Sequence, residues 1–295
     1  RVEVRFDIDE TGRPISVYFK ESKEANKLIE EFMLLANRTV AECIGKVPKN
    51  KKAKVFPYRI HDLPEPDKLE NLNWFVNRFG YKIRTSGTKT EVSKSLNKLL
   101  ADVRGKKEQN LIEMVSLKAM QKAKYSTVNI GHYGLAFDYY THFTSPIRRY
   151  PDMMVHRLLA GYLAGEKRAD KKLLEQLAVH STEREIIASE AERASIKYKM
   201  AEFMKDRIGE EYDGVVSGLT DWGVYVELDD THVEGMAFLR DIDDDDYYRF
   251  DEARYEIVGR SSGIRLTLGS PVRIRVKSVD LNRRTLDFKL LLNRR

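Results

Sequence analysis

Apolar and polar residues alternate through the first twenty positions of the chain, on either side of a short polar turn. The segment RVEVRFDIDETGRPISVYF is interrupted at residues 10–14, which include Gly12 and Pro14. A period of two predicts strands, and a turn between two such strands predicts a β-hairpin. Residues 23–44 instead have apolar side chains at helical spacing, and Gly45 follows as a stop signal. This pattern predicts a well-buried helix, on whose apolar stripe Cys43 is interpreted as a small buried hydrophobe.

Helical periodicity dominates the chain as far as residue 208. Helices are predicted at residues 66–79, 90–104 and 108–124, then from Pro151, which suits a helix start, and again from residue 171 to 208. After Gly209 the sequence changes to short β-rich runs at spacings typical of a small barrel. The fold class is therefore α+β, with a mostly helical part at residues 1–207 and an all-β barrel at residues 208–295.

The amino-acid composition limits the classes of protein to which this chain can belong. Cys43 is the single cysteine, and no Cys/His spacing suits structural zinc, so no disulfide framework is expected and the compartment is expected to be reducing cytoplasm. No apolar stretch is long enough to cross a bilayer, so no membrane association is expected. Lys and Arg number 39 against 28 Asp and Glu in residues 1–207, and 13 against 18 in residues 208–295. The basic first part favours a polyanionic partner, although positive charge alone also serves solubility.

Two acidic segments imitate metal sites. Residues 7–12, DIDETG, match the start of a calcium loop, but the position that needs a bidentate glutamate is Tyr18, and the flanks are predicted strands. The four aspartates at residues 243–246 are adjacent along the chain, so their side chains point in different directions. We interpret neither segment as a metal site. The sequence also contains no phosphate-binding P-loop, no GxSxG elbow and no HExxH zinc helix.

Residues 132–157 read HYGLAFDYYTHFTSPIRRYPDMMVHR, with six aromatic, three histidine and three arginine residues. This stretch resembles the signature of the ribonuclease II/R family, the RNB exoribonucleases. The segments KLIEEFMLLAN, RIHDLPEPDKLENL and FDEARYEIVGR resemble the ribonuclease R branch in the expected order, so the resemblance covers almost the whole chain. It implies that residues 1–207 are the C-terminal part of an RNB catalytic domain.

In that family the segment TSPIRRYPD lies beside the active centre. The resemblance implies that Arg148 approaches the scissile phosphodiester as a transition-state clamp, and that Ser145 and Arg149 contact RNA. A guanidinium suits the clamp because it stays ionised and offers a planar fork of donors to the phosphate oxygens. The alternative is that Arg148 and Arg149 are surface or ion-paired residues before a helix. The length of the match favours the family role, for Arg148 more than for Arg149.

Three glutamates also match family positions. In relatives, a glutamate of an EE pair helps to recognise the ribose 2'-hydroxyl, which distinguishes RNA from DNA. Here the pair is Glu30 and Glu31, and we favour Glu31. The segment TEREIIASEAER resembles the family's glutamate-bearing helix, in which one carboxylate approaches the reacting nucleotide, and its best match is Glu192. The alternative for all three is an exposed helix glutamate.

The barrel sequence, DGVVSGLTDWGVYVELDD followed by VEGMAFL, resembles a five-stranded RNA-binding OB-fold of the ribosomal-protein type. The resemblance implies that Trp222, Tyr225 and Phe238 hold single-stranded RNA. In the strand WGVYVEL, alternation places Tyr225 on the outer face, where a ring stacks on any base. The alternative is that the three rings pack at a corner of the barrel.

Hydrolysis in this family requires an aspartate cluster that holds magnesium. Its ligands are expected upstream of this chain, so no residue here is assigned to the metal. The expected function is that of part of a processive 3'-to-5' exoribonuclease, which hydrolyses RNA to nucleoside 5'-monophosphates, acts as a monomer and is inactive without the upstream segment. The alternatives are a non-enzymatic RNA-binding protein that retains half of the fold, and an OB-fold RNA-binding domain joined to an unrelated helical domain.

Overall fold

The computed structural model describes residues 3–20, 23–48, 50–106, 108–166, 169–242, 246–252 and 254–292. The helices in this part of the chain are α1 (Glu24–Gly45), α2 (Pro66–Asn77), α3 (Lys89–Asp102), α4 (Gln109–Ala119), α5 (Tyr150–Leu163) and α6 (Lys171–Lys205). The strands are β1 (Glu3–Ile8), β2 (Pro14–Lys20), β3 (Tyr58–Ile60), β4 (Lys124–Ser126), β5 (Glu211–Thr220), β6 (Gly223–Leu228), β7 (Glu234–Phe238), β8 (Tyr248–Asp251), β9 (Glu256–Gly259), β10 (Arg265–Leu266), β11 (Pro271–Asp280) and β12 (Thr285–Leu290). Among the described helices, none is both long and apolar enough to span a bilayer.

The chain divides into two units, each with its own core. The helical unit comprises residues 22–102 and 114–189, and the barrel unit comprises residues 1–21, 103–113 and 190–295. The first part of α6 therefore belongs to the helical unit and its last part to the barrel unit. The boundary predicted near residue 208 falls between the end of α6 and the start of β5.

β1 and β2 form the hairpin that the alternating pattern predicts, with Val4 opposite Phe19. The turn is organised by Asp9, whose Oδ1 accepts hydrogen bonds from the backbone N–H of Thr11 at 2.8 Å and of Arg13 at 2.9 Å. Gly12 has a φ of 83°, a conformation that a residue without a Cβ adopts at little cost. In the DIDETG segment, the Asp9 carboxylate therefore accepts backbone hydrogen bonds. In a calcium loop the carboxylate at this position would instead bind the ion.

Five strands close a barrel in the order β11-β12-β7-β6-β5, which confirms the predicted five-stranded barrel. β12 pairs in parallel with β7, and the other neighbours are antiparallel. The barrel is filled by buried side chains that include Val224, Val226, Leu228, Ile274 and Phe288. Gly235 lies where β7 passes Phe288, and a Cβ there would be 2.5 Å from the phenyl ring. β8, β9 and β10 form a further three-stranded sheet that the sequence pattern leaves unpredicted.

The helical unit packs around a cluster formed mainly by α1, β3 and α5. Its buried members are Ala41, Ile44, Phe56, Tyr58, Ile60, Val155 and Tyr162. The predicted helices are present with ends shifted by a few residues, and the largest shift is at α4, which ends at Ala119 before the chain continues to β4. β4 pairs with β3 in a short antiparallel sheet that holds the segment before α2 against the chain that continues toward residues 145–149.

α1 corrects two expectations from the sequence. The residues buried along it are Asn37, Ala41 and Ile44, so the helix is not well buried. Four apolar side chains between residues 28 and 35 of this helix are more than half exposed: Leu28 (58%), Ile29 (56%), Phe32 (60%) and Leu35 (58%). Cys43 is exposed as well. Apolar spacing shows that a helix has apolar stripes, but it does not show that another element covers each of them.

Candidate functional site

Residues 145–149, which we name the arginine turn, connect the long irregular segment after β4 to α5. The backbone N–H of Arg149 donates to the carbonyl oxygen of Ser145 at 3.0 Å, and that of Arg148 donates to the same oxygen at 3.3 Å. Asp152, in the first turn of α5, is completely buried and accepts a hydrogen bond from the backbone N–H of Ser145 at 2.7 Å. The turn is therefore held at both ends by short-range contacts with the start of the helix.

Arg148 points outward from this turn. Its side chain is exposed, and its Nη2 lies 3.4 Å from the hydroxyl oxygen of Ser145. Within the described ranges, no carboxylate pairs with its guanidinium. An ionised, solvent-facing guanidinium on a fixed backbone is arranged to bind an anion with little reorganisation.

Arg149 points inward and acts differently. Its Nη2 donates to Oδ1 of Asp152 at 2.8 Å, and the two side chains are 21% and 0% exposed. Nε of Arg149 and Oδ2 of Asp152 are buried without a hydrogen-bond partner among the described residues. Arg149 thus fixes the arginine turn from inside, and its predicted contact with RNA stays a prediction. Asp152 was not predicted from the sequence, although an acidic residue just after Pro151 is typical of a helix start.

The segment before the arginine turn is held by polar side chains from two helices. Asn37 of α1 is buried and accepts a hydrogen bond from the backbone N–H of Phe143 at 2.9 Å, while its amide donates to the hydroxyl of Tyr140 at 3.2 Å. His156 of α5 stacks on the ring of Phe143 at 4.0 Å, and its Nε2 lies 2.8 Å from the carbonyl oxygen of Phe143. Asn37 is a polar residue that shares the buried face of α1 with Ala41 and Ile44. A polar residue at such a position is the sequence feature that could have identified it as part of the site.

The same segment contains a neutral histidine, His142, and contacts near it involve an ion-paired arginine, Arg59. The Tyr125 hydroxyl and Nδ1 of His142 share a hydrogen bond of 2.7 Å. Burial, assisted by the positive charges of Arg149 and Arg59, lowers the pKa of His142 to about 2, so the ring is neutral at any working pH. Arg59 makes two hydrogen bonds to Glu185, of 2.6 and 3.0 Å, and its guanidinium lies 4.6 Å from the centroid of the Tyr125 ring.

Glu30 and Glu31 are both exposed on α1, but they lie on different faces. Glu30 precedes Asn37 by seven residues, which is two helical turns, so Glu30 shares the face that contacts the segment before the arginine turn. Glu31 precedes Asn37 by six residues. Because each residue advances the helix by about 100°, the Glu31 side chain is rotated by about 120° from the face of Asn37. The geometry of α1 therefore places Glu30, and not Glu31, on the helix face of Asn37, and the recognition of the ribose by either residue stays a prediction.

Glu192 is exposed on α6, in the part of that helix that belongs to the barrel unit. Arg148 belongs to the helical unit. Two turns earlier on α6, Glu185 lies on the same predicted face, but it pairs with Arg59. The part of Glu192 in the chemistry stays a prediction.

Three aromatic residues of the barrel form what we name the aromatic face: Trp222, Tyr225 and Phe238. Trp222 is 62% exposed and Tyr225 is 37% exposed. β6 and β7 pair with Gly223 opposite Phe238 and Tyr225 opposite Met236, so Tyr225 and Phe238 are diagonal neighbours on the outer side. The carbonyl oxygen of Trp222 accepts a hydrogen bond from the backbone N–H of Leu239 at 2.9 Å, which ties the turn before β6 to the end of β7. Trp222 and Tyr225 are thus open to solvent, as base stacking requires, and Phe238 is partly buried.

The described residues do not provide a ligand set for magnesium. Over the described ranges, no three His, Cys, Asp or Glu side chains are close enough together to hold a metal ion. Residues 243–245 of the acidic run lie outside the described residues. Hydrogen bonds from the Ser262 hydroxyl and from the backbone N–H of Ser261 and Ser262 hold the pKa of Asp246 below its usual range, so this carboxylate organises a loop.

Known proteins match nearly all of the chain. The model of the RNB domain matches residues 1–165, and that of the S1 RNA binding domain matches residues 205–290. Ribonuclease R of Aquifex aeolicus is 40% identical over 98% of this chain and 40% of its own length. Ribonuclease R 1 of Lactococcus lactis is 36% identical over 98% of this chain and 35% of its own length.

A solved structure of Mycoplasma genitalium RNase R in complex with ribose methylated single-stranded RNA superimposes with a TM-score of 0.81 at 26% identity. The match covers 99% of this chain and 45% of that one. This chain thus spans less than half of the length of these relatives. Since the RNB model matches more than half of its residues and the S1 model follows in the barrel, the chain belongs to the RNB domain family.

Proposed function

We propose that the protein to which this chain belongs hydrolyses RNA from its 3' end to nucleoside 5'-monophosphates, and that this chain supplies Arg148, Glu192 and the aromatic face. The observation that supports the proposal most is the exposed guanidinium of Arg148 on a turn fixed by the buried carboxylate of Asp152. The ribonuclease R relatives give the reaction class.

Arg148 suits the charge that develops during hydrolysis of a phosphodiester. When water attacks phosphorus and the bond to the 3' oxygen breaks, negative charge grows on the non-bridging oxygens. A guanidinium already fixed in place stabilises that charge with paired N–H donors and without a reorganisation cost at the transition state. Arg149 pairs with the Asp152 carboxylate, so Arg148 is the arginine of this turn whose guanidinium is available to bind a phosphate.

Magnesium is proposed to be held by aspartates outside this chain. Bound beside the scissile phosphate, the ion would position water and polarise a phosphate oxygen. The residues described here contribute no step of that kind, and we propose that the 295-residue chain by itself binds RNA without degrading it.

The aromatic face is proposed to hold single-stranded RNA of any sequence. Each stacked base contributes roughly 1–3 kcal/mol, and every base has a π-face, so the interaction does not select a sequence. The Mycoplasma genitalium relative was solved with ribose methylated single-stranded RNA, which supports RNA as the ligand of this chain. Indiscriminate binding suits an enzyme that removes nucleotides successively.

Binding of the chain to a labelled single-stranded RNA over a salt series, with magnesium present and release of mononucleotides followed, tests the proposal. We expect binding that weakens steeply with salt, because phosphate contacts release counterions, and no release of mononucleotides. Absence of binding would contradict the proposed RNA contacts. Release of mononucleotides by this chain would contradict the placement of the metal ligands outside it.

The two glutamates of α1 provide a matched pair of variants. Glu30→Ala should lower the preference for RNA over DNA of the same sequence about 10- to 100-fold, because it removes a charged acceptor for the 2'-hydroxyl worth roughly 1.5–3 kcal/mol. Glu31→Ala should change this preference less than twofold, because its side chain lies on another face. The preference is measured as the ratio of dissociation constants for ribo- and deoxyribo-oligonucleotides. The opposite order of the two effects would identify Glu31 as the residue that recognises the ribose 2'-hydroxyl.

A further inference from the structure

An arginine stacks on the edge of the aromatic face. Arg240 follows Phe238 by two residues, in a short 3-10 helix, Leu239–Asp241, at the end of β7. Its Cζ lies 4.9 Å from the centroid of the Phe238 ring, within the distance of a cation–π contact. A guanidinium held over a ring still has its N–H groups directed to solvent, where a phosphate accepts two of them.

Arg240 is not neutralised by its acidic neighbour. The carboxylate of Asp241 is bound by Lys277 of β11, with Nζ 2.7 Å from Oδ2. Across the described part of the barrel unit, no carboxylate pairs with Arg240. Arg273 and Arg275 of the same barrel instead share Glu211, at 3.2 and 2.6 Å.

Two carboxylates lie side by side on the outer side of the barrel, at the end away from Arg240. Glu227 and Glu234 are register partners on β6 and β7, two residues beyond the pair formed by Tyr225 and Met236. His232 contacts Glu227 at 2.5 Å, and the Ser217 hydroxyl donates to Glu234 at 2.7 Å. A phosphodiester is repelled by the end with these two carboxylates and attracted by the end with Arg240.

We propose that Arg240 binds a backbone phosphate of the RNA whose bases stack on the aromatic face, so that the strand crosses the barrel at the Trp222 and Phe238 end. This inference rests on the proposed function and adds to it a phosphate-binding residue and a position for the backbone. The Phe238 ring serves two purposes, because it stacks on a base and also holds the guanidinium that contacts the phosphate beside it.

The test is Arg240→Gln in the 295-residue chain, measured by fluorescence anisotropy with a labelled single-stranded RNA over a salt series. We expect the affinity at low salt to fall about tenfold, the effect of losing a charge-assisted hydrogen bond. The slope of log affinity against log salt should become shallower by about 0.7, the value for one phosphate contact on a single strand. Arg240→Lys should keep the slope and lose part of the affinity, because an ammonium makes a phosphate contact without the planar fork.

Arg249→Gln is the matched control. Arg249 is an exposed arginine on β8, outside the barrel sheet, so its replacement removes the same charge from the same unit. We expect this variant to leave the salt slope unchanged. In a Tyr225→Ala background, Arg240→Gln should lower the affinity less than threefold, because a base that no longer stacks does not hold its phosphate at Arg240.

An unchanged slope in Arg240→Gln would overturn the inference while the proposed function stands, provided that the unsubstituted chain binds RNA. An equal change of slope in Arg249→Gln would also overturn it, because the effect would then come from net charge. A full tenfold loss in the Tyr225→Ala background would place the phosphate of Arg240 away from the aromatic face. If the unsubstituted chain binds no RNA, the proposed function itself fails, and the inference fails with it.

Discussion

Replacement of Arg148 by alanine should lower the rate of RNA hydrolysis about 100- to 1,000-fold in a protein that contains the complete RNB domain. This is the usual effect of removing one preorganised donor from a developing oxyanion. The measurement is the single-turnover rate of mononucleotide release from a short single-stranded RNA at saturating enzyme. Under those conditions the rate reports the chemical step, and a weaker dissociation constant does not account for the loss.

Arg157→Ala is the control for this experiment. Arg157 is an exposed arginine on α5, two turns after the arginine turn, and its removal changes the net charge equally. We expect its rate to remain within twofold of the unsubstituted protein. Equal rates for Arg148→Ala and the unsubstituted protein would contradict a catalytic role for Arg148 and restore the interpretation as a surface arginine.

Asp152→Ala should destabilise the helical unit by about 3 kcal/mol, at the low end of the range for a buried ion pair that loses one partner. The buried carboxylate accepts hydrogen bonds from Ser145 and Arg149, and its removal leaves the Arg149 guanidinium with a part-buried, unpaired charge. The chain contains two tryptophans, Trp74 in the helical unit and Trp222 in the barrel unit. In a Trp222→Phe background, urea unfolding followed by tryptophan fluorescence therefore reports the helical unit alone.

Glu42→Ala in the same background controls for the loss of a carboxylate from a helix. Glu42 pairs with Arg38 one turn earlier on α1 at 2.8 Å, on the exposed side of the helix. Such pairs contribute roughly 0.3–0.5 kcal/mol. A loss of less than about 1 kcal/mol for Asp152→Ala would show that the arginine turn does not depend on this carboxylate.

The sequence predicted the secondary structure well where periodicity is strong. The hairpin, the helices and the five-stranded barrel follow from alternation and from helical spacing, because each pattern reports which positions face the same way. The β8–β10 sheet was missed because its strands are two to four residues long, too short for alternation to be distinguished from chance. The exposure of α1 was missed because periodicity does not identify what packs against an apolar stripe.

The candidate site shows a similar division. Resemblance to the family identified Arg148, and elementary chemistry explains why an arginine suits that position. The site also depends on hydrogen bonds made by Asp152, Asn37 and His156. Their partners are separated from them in the sequence by 7, 106 and 13 positions, respectively, and no local pattern reports such contacts. The choice between Glu30 and Glu31 required the identity of the buried face of α1, and this became visible only through Asn37.

The direction of degradation distinguishes a 3'-to-5' exoribonuclease from other ribonucleases. A single-stranded RNA labelled at its 5' end, and in parallel at its 3' end, would be incubated with magnesium and a protein that contains the complete RNB domain. We predict that the 3' label leaves at once as a mononucleotide while the 5' label stays on steadily shorter strands, and that Arg148→Ala slows both changes about 100- to 1,000-fold. Internal cleavage, or release of the 5' label first, would contradict the proposed 3'-to-5' exoribonuclease activity.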